Sequence, residues 1–270
     1  MDEPRSLIHR FRDDTYPRWI LLVPSAILFG IFAIPLAALI LRSLSSEFLA
    51  NALSHQAFHA LSLSLATSSI TTLIAVVLGT PLAYMLARSR SPGRAWVELI
   101  LDLPIVLPPS VAGLALLIAF GRNGLLGSAL SLFGISLPFT TAAVVMAQTF
   151  VAAPLYVRSA RVGFAHVQAE LTEAAHVEGA NTWQLFHDVM IPIAGRVLAS
   201  GAILTWTRAL GEFGATILFA GNLEGVTQTM PMAIYLGFER NLGVAMALAV
   251  VLIAVSVVLL AITKRLETPE

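Results

Sequence analysis

The stretch "EAAHVEGANTWQLFHDVMIP", residues 173–192, is a polar, histidine-bearing segment between two long apolar runs. Residues 165–178 favour a helix, and Gly179 can end it because glycine enters the left-handed conformation without a steric penalty. Asn181 can cap a second helix, and Gln184, three residues later, completes a capping-box pattern. The stretch therefore predicts two short helices at an angle, with its closing proline marking where the next segment begins.

We call residues 165–192 the knuckle. Both of its predicted helices carry apolar side chains. Those of the first helix are Val167, Leu171, Ala174 and Ala175. Those of the second are Trp183, Leu185, Phe186, Val189 and Met190. A projecting pair of helices suits insertion into a groove on a soluble partner, although an ordinary polar loop fits these residues equally well.

Composition identifies the class of protein around the knuckle. Hydrophobic residues make up 57% of the 270 residues and charged residues only 12%, against about 25% charged in soluble domains. The chain is therefore expected to be an integral membrane protein. It has no cysteine, which excludes disulfides and cysteine metal sites. The formal net charge of zero argues against a nucleic-acid partner.

Hydropathy predicts an all-α membrane protein with six spans, because a bilayer core needs about 20 apolar residues per helix. The predicted spans are about 19–41, 61–87, 97–120, 139–160, 193–219 and 241–263. The first apolar run is too long for a signal peptide and has no convincing cleavage site after it, so we expect it to be retained. The predicted organisation is an N-terminal tail (1–17), one transmembrane domain (18–265) and a C-terminal tail (266–270).

Basic residues predict the orientation, because cytoplasmic loops of membrane proteins are enriched in Lys and Arg. With a cytoplasmic N-terminus, twelve of the sixteen basic residues lie in inside loops and flanks. The outside then holds Arg42, Arg122 and Arg240, and Arg208 lies within a span. Both termini and the knuckle are therefore expected on the cytoplasmic side of a multi-pass protein.

The knuckle resembles the EAA motif of ABC importer permeases. The family pattern is EAA, three residues, Gly, nine residues and I-x-L-P; here Val and Ile conservatively replace the last Ile and Leu. In that family the motif is the coupling element gripped by the ATP-hydrolysing subunit. The resemblance implies that the glutamate anchors the loop, the alanines permit close packing and the glycine makes the turn. The matching positions are Glu173, Ala174, Ala175, Gly179, Val189, Ile191 and Pro192.

Two further stretches resemble the molybdate and sulfate branch of these permeases. They are "LDLPIVLPPSVAGLALL" (101–117) and "RALGEFGATILFAGNLEGVTQTMPMAIY" (208–235). The stretch 208–235 most resembles the molybdate permease. The resemblance implies import of an oxyanion, with molybdate favoured over sulfate, tungstate and thiosulfate, whose permeases share much of this wording.

The resemblance also implies a set of partners in a bacterial inner membrane. Two ABC subunits would bind ATP with Mg and hydrolyse it, while this chain would bind no cofactor itself. A second permease subunit, expected to be another copy of this chain, would complete the pathway among the membrane lipids. A periplasmic or surface protein would deliver the oxyanion, and alternating access would be the mechanism.

Arg208 and Glu212 are charged residues four apart in the fifth predicted span, so they share one helix face. Charges inside a span are costly and usually face a partner, a bundle interior or water. They could neutralise each other as a structural pair, or Arg208 could give an oxyanion pathway positive potential while Glu212 holds it in place. Gly211 and Gly214 beside them allow close backbone approach, which helix packing alone would also explain.

The prolines Pro104, Pro108 and Pro109 interrupt the third predicted span. Proline removes a helical hydrogen bond and clashes with the preceding turn. The run could therefore form a bend beside the pore, and simple kinking of a peripheral helix explains it equally.

Several sequence features count against the two alternatives from other classes, a membrane-embedded enzyme and a passive anion channel. The only lysine, Lys264, does not lie in a phosphate-binding loop motif, and there is no G-x-S-x-G motif. His55 and His59 are four apart, but Gln56 stands where a metalloprotease would have glutamate. A passive channel does not need a knuckle that docks an ATPase.

Overall fold

The computed structural model describes residues 18–89 and 91–267, and all regular secondary structure within these ranges is helical. The helices before the knuckle are α1 (Arg18–Ser43), α2 (Phe48–Ala52), α3 (His55–Arg88), α4 (Arg94–Val106), α5 (Pro109–Phe120), α6 (Gly127–Leu132) and α7 (Thr141–Ala165). The knuckle contains α8 (Ala169–Val177), α9 (Thr182–Gln184) and a π-helical turn (Leu185–Met190). The remaining helices are α10 (Ile191–Leu210), α11 (Gly214–Ala220), α12 (Met230–Arg240) and α13 (Leu242–Glu267).

The chain divides into two compact units, one ending at Ser45 and one beginning at Ser46. In the first unit, α1 is a 26-residue helix that contains two prolines. The predicted N-terminal tail, 1–17, lies outside the described residues, as do the last three residues of the predicted C-terminal tail.

Five helices in the described ranges are long and apolar enough to cross a membrane, or six when the bent pair α4 and α5 is taken as one span. Helices α1, α3, α7 and α13 coincide in position with the first, second, fourth and sixth predicted spans. The all-helical membrane fold predicted from hydropathy is confirmed.

The third predicted span, 97–120, is not one straight helix. Helices α4 and α5 meet at a bend of 117°. Leu107 and Pro108 both have extended backbone, with ψ of 138° and 134°. A residue that precedes proline is pushed out of the helical region, and the Leu107-Pro108-Pro109 sequence applies this restriction at two successive positions, which ends α4 and starts α5.

The core of the second unit is formed where α3 packs against α7 and α10. Small residues of α3 allow the close approach typical of membrane helices. A Cβ on Gly79 would lie 2.9 Å from the Tyr156 ring of α7, so only glycine fits there. Hydrogen bonds add to this packing, with Thr80 Oγ1 and Tyr156 Oη 2.6 Å apart and the Thr71 hydroxyl donating to Gln148 Oε1 at 3.2 Å.

The fifth predicted span, 193–219, is also interrupted. Helix α10 ends at Leu210, residues 211–213 are not helical, and the seven-residue α11 follows. Hydropathy could not detect this break, because the residues on both sides of it are apolar.

Candidate functional site

The turn of the knuckle follows the geometry that Gly179 predicts. Its φ of +86° lies in the left-handed region, and it ends α8 with a Schellman motif. The Gly179 amide donates to the His176 carbonyl at 3.0 Å, and the Ala180 amide donates to the Ala175 carbonyl at 2.9 Å. A Cβ on Gly179 would meet no atom within 4 Å, so conformation alone favours glycine there.

The capping box predicted for the second helix is present. The Asn181 side chain accepts from the Gln184 amide at 2.9 Å, and the Gln184 side chain accepts from the Asn181 amide at 2.9 Å. The Schellman motif and the capping box therefore supply hydrogen-bond partners to backbone groups on both sides of the three-residue turn 179–181, and all of these bonds are local.

The second helix of the knuckle is not short, contrary to the expectation from the sequence. It continues through the π-helical turn into α10, so that Thr182–Leu210 forms one 29-residue helix. The prediction placed the start of a new segment at Pro192 because proline cannot donate a helical hydrogen bond. The wider π-helical turn ends at Met190, two residues before Pro192, and the chain stays helical across both.

The outer surface of the knuckle combines exposed apolar and acidic side chains. Val177 is 87% exposed and Trp183 is 68% exposed. The acidic side chains of residues 165–192 are all exposed, and this stretch contains no Lys or Arg. They are Glu170, Glu173, Glu178 and Asp188. This surface is suited to a groove that offers apolar walls and basic residues.

The EAA positions occupy different depths in the knuckle. Glu173, Ala174 and Gly179 are exposed, as is Pro192. Ala175, Val189 and Ile191 are half-buried. Thus the glutamate, the turn glycine and Pro192 lie on the accessible side, whereas Val189 and Ile191 are partly covered.

Arg208, in the last turn of α10, forms an ion pair with Glu212, which lies in the break that follows. Arg208 Nη1 lies 2.7 Å from Glu212 Oε2, and the Glu212 side chain is only 1% exposed, against 34% for Arg208. The other carboxylate oxygen of Glu212 accepts from the Ala215 amide at 2.9 Å, which caps the first turn of α11. Both carboxylate oxygens of Glu212 therefore have partners within a few residues in the sequence.

The break between α4 and α5 and the break between α10 and α11 pack against each other. A Cβ on Gly214 would lie 2.7 Å from the Pro109 side chain. A Cβ on Gly113 would lie 2.7 Å from the Ala215 carbonyl oxygen. A Cβ on Gly211, by contrast, would have no neighbouring atom closer than 3.8 Å, so close packing does not explain the glycine at this position.

Helix α4, the first half of the bent pair, is tied to α7 by an ionic bridge. The Glu98 carboxylate accepts from Arg94 at 2.7 Å on its own helix and from Arg161 of α7 at 2.9 Å. Pro104, further along α4, is buried. Sequence reasoning missed the bridge to α7 because Glu98 and Arg161 are 63 residues apart.

Sequence reasoning also missed an aromatic cluster that joins the knuckle to α3 and α7. Phe186 of the π-helical turn lies 4.9 Å, centroid to centroid, from Tyr84 of α3 and 6.2 Å from Phe164 of α7. The spacing of aromatic residues within the knuckle could have indicated an inward face, but not its partners.

The described residues contain no group of three or more His, Cys, Asp or Glu side chains placed to hold a metal ion. His55 and His59 lie on the first turns of α3, and their Nε2 atoms are 3.0 Å apart.

The chain belongs to the family of inner membrane components of binding-protein-dependent transport systems, whose family model matches residues 75–268. It is similar to the molybdenum transport system permease protein ModB of Mycobacterium tuberculosis, at 40% identity over 89% of this chain and 90% of that protein. It is 37% identical to the probable transport system permease protein NifC of Clostridium pasteurianum, over 91% and 86% of the two chains. The sulfate transport system permease protein CysT of Escherichia coli is 32% identical over 90% of each.

Solved structures share the fold. A bacterial ABC transporter that imports the acidic polysaccharide alginate matches with a TM-score of 0.73 at 19% identity, over 93% of this chain and 96% of that one. A bacterial alginate ABC transporter in complex with a periplasmic protein matches with a TM-score of 0.71 at 20% identity, over 92% of each chain. The predicted ABC importer permease fold is confirmed.

Proposed function

We propose that this chain is the permease subunit of an ABC importer that brings molybdate into the cytoplasm. The observation that carries the proposal is the 40% identity to a molybdenum permease over about nine tenths of both chains. Identity to the sulfate permease is lower, at 32%.

Two copies of this chain would form the pathway at their interface. Two ATP-binding subunits would hydrolyse ATP with Mg on the cytoplasmic side, and a periplasmic or surface protein would deliver the oxyanion. The crystal structure of an alginate transporter with its periplasmic protein offers a fold-level precedent for the delivery step. The substrate would cross by alternating access.

The knuckle would be the docking element for the ATPase. Its Schellman motif and capping box hold the turn without help from other helices. This leaves Val177, Trp183 and Glu173 free to meet a partner. We infer that the receiving groove is basic, since the knuckle presents acidic side chains and no Lys or Arg.

The orientation we propose places both termini and the knuckle in the cytoplasm. The twelve basic residues predicted for the inside support it. A knuckle on that side is where a cytosolic ATPase could reach it.

Of the two roles considered for Arg208 and Glu212, the structural pair is better supported. Both carboxylate oxygens of Glu212 are bonded, one to Arg208 and one to the Ala215 amide. The remaining exposure of Arg208 leaves its guanidinium accessible, so we retain a contribution to the anion pathway as the alternative role.

Reconstitution would test the transport function. The chain, its ATPase and its binding protein would be placed in proteoliposomes, and uptake of labelled molybdate would be measured with and without ATP. We expect ATP-dependent uptake that tungstate inhibits more strongly than sulfate, because tungstate is nearer to molybdate in size. Stronger inhibition by sulfate would replace molybdate with sulfate as the substrate, and uptake that ignores ATP would reject the importer altogether.

A further inference from the structure

The knuckle contacts the membrane-spanning helices through a compact aromatic cluster. Phe186 contributes the central ring, 4.9 Å from Tyr84 near the end of α3 and 6.2 Å from Phe164 near the end of α7. Tyr84 and Phe164 themselves meet edge to face, with centroids 5.7 Å apart and an interplanar angle of 86°. One side chain of the knuckle therefore touches two spanning helices that are already packed together.

The cluster also reaches the exposed surface of the knuckle. Trp183 lies one turn before Phe186, with ring centroids 5.9 Å apart, and is itself 68% exposed. Trp183 also stacks on His187, with centroids 6.1 Å apart. A continuous line of ring contacts thus leads from a surface open to a partner to the buried Phe164, which is 1% exposed.

Phe186 belongs to the π-helical turn, whose local geometry is unusual. Leu185 and Met190, at the two ends of this turn, are 3% and 0% exposed and fix it to the core. π-Helical turns are rare and recur at functional sites. Its hydrogen bonds span five residues rather than four, so the turn is wider than the α-helix that follows it in α10.

We propose that Phe186 is the positioning residue through which displacement of the knuckle reaches α3 and α7, with the π-helical turn as the element that deforms. This inference rests on the proposed ATPase-docking role of the knuckle and adds a route from it into the membrane. Because α10 is part of the continuous helix Thr182–Leu210, it moves together with the second helix of the knuckle. Phe186 makes α3 and α7 move with it, so that three helices respond to one docking event.

The test compares Phe186→Ala and Phe186→Leu with Phe186→Tyr in the complete reconstituted complex. The tyrosine variant keeps the ring and is the matched control. Co-purification of the ATPase, ATP hydrolysis and molybdate uptake would be measured on the same preparations. We expect the alanine and leucine variants to keep the ATPase and hydrolyse ATP, but to lose at least tenfold in molybdate taken up per ATP. The tyrosine variant should stay within about twofold of the parent.

Three outcomes would overturn the inference. One is an unchanged uptake-to-hydrolysis ratio in the leucine variant. Another is loss of the ATPase from it, which would make Phe186 part of the docking surface instead. A third is an equal loss in the tyrosine variant. If the parent complex itself shows no ATP-dependent uptake, the proposed function fails, which is a separate result.

A covalent substitute for the aromatic contact gives a further measurement that does not depend on the fold of the alanine variant. The chain has no cysteine, so Tyr84→Cys/Phe186→Cys can be bridged selectively within the subunit by a short thiol-reactive crosslinker. We expect the unbridged double variant to be uncoupled and bridging to restore at least half of the uptake per ATP. Bridging that leaves uptake unchanged or abolishes it would contradict transmission through this contact.

Discussion

The knuckle and the junction around Glu212 are both interruptions of a helical chain, but they are stabilised in opposite ways. The knuckle turn is closed by local backbone bonds and leaves its side chains exposed. The junction is held by the ion pair of the buried Glu212 and by Gly214, which packs against Pro109 of α5. Closure by local bonds alone leaves a surface free for a partner, whereas the packing of Gly214 against a helix distant in sequence makes the junction part of the core.

The comparison predicts that changes at the junction affect stability most. Arg208→Met would leave the Glu212 carboxylate buried without its cation. Breaking a buried pair costs about 3–5 kcal/mol, and we expect about 3 kcal/mol because Arg208 retains 34% exposure. Denaturant unfolding of the purified subunit would measure it, and Arg208→Met/Glu212→Gln should recover part of the loss. A fully stable, normally assembled Arg208→Met complex with altered transport would favour the pathway role instead.

Gly113→Ala should be the next largest effect. The added methyl would meet the Ala215 carbonyl oxygen at 2.7 Å and its Cα at 2.9 Å, and backbone atoms cannot move aside cheaply. Overpacking of this kind costs about 1–3 kcal/mol. Gly211→Ala is the matched control, since its nearest atom would be 3.8 Å away. Equal unfolding free energies for the two variants would contradict the packing of the two breaks.

At the knuckle, Gly179→Ala should change docking rather than global stability. A φ of +86° costs a residue with a Cβ about 1–2 kcal/mol. If the ATPase binds this conformation, its affinity should fall about tenfold, since about 1.4 kcal/mol is a factor of ten. Titration of the ATPase onto the subunit in nanodiscs would measure this, and Gly179→Asn, which tolerates positive φ better, should lose less. Unchanged affinity in the alanine variant would mean that the turn is not recognised.

Asn181→Ala should have the smallest effect of the four. Loss of an N-cap costs about 1 kcal/mol, which corresponds to a roughly fivefold weaker ATPase affinity in the same titration. Asn181→Asp keeps an acceptor for the Gln184 amide and should bind like the parent. An affinity loss shared by both variants would indicate direct contact with Asn181 rather than a role as a cap.

The same contrast explains which features the sequence could predict. Gly179 and the Asn181–Gln184 box were predicted because each depends on residues within a few positions of one another. The break after Leu210 was not predicted, because it depends on Gly214 packing against Pro109, about a hundred residues away. The Arg208–Glu212 pair and the Glu212–Ala215 bond at the break are local, but they do not by themselves show that the helix is interrupted.

The aromatic cluster follows the same rule. Phe186 could be assigned to an apolar face from the sequence, but Tyr84 and Phe164 become its neighbours only through the packing of α3 and α7. The continuous helix through Pro192 was missed for a local reason instead. A π-helical turn has no strong sequence signature. Proline therefore predicted the start of a new segment, whereas the helix continues from the wider turn Leu185–Met190 through Pro192.

Gly179→Pro tests directly whether ATP-driven transport depends on the knuckle. Proline cannot adopt the φ of +86° found there, so the turn should be lost while the spans remain. ATPase co-purification and ATP-dependent molybdate uptake would be measured in proteoliposomes beside the parent complex. We expect the variant to lose the ATPase and its uptake of molybdate to collapse. Uptake that is independent of ATP and unaffected by the variant would contradict this expectation and leave a passive anion channel.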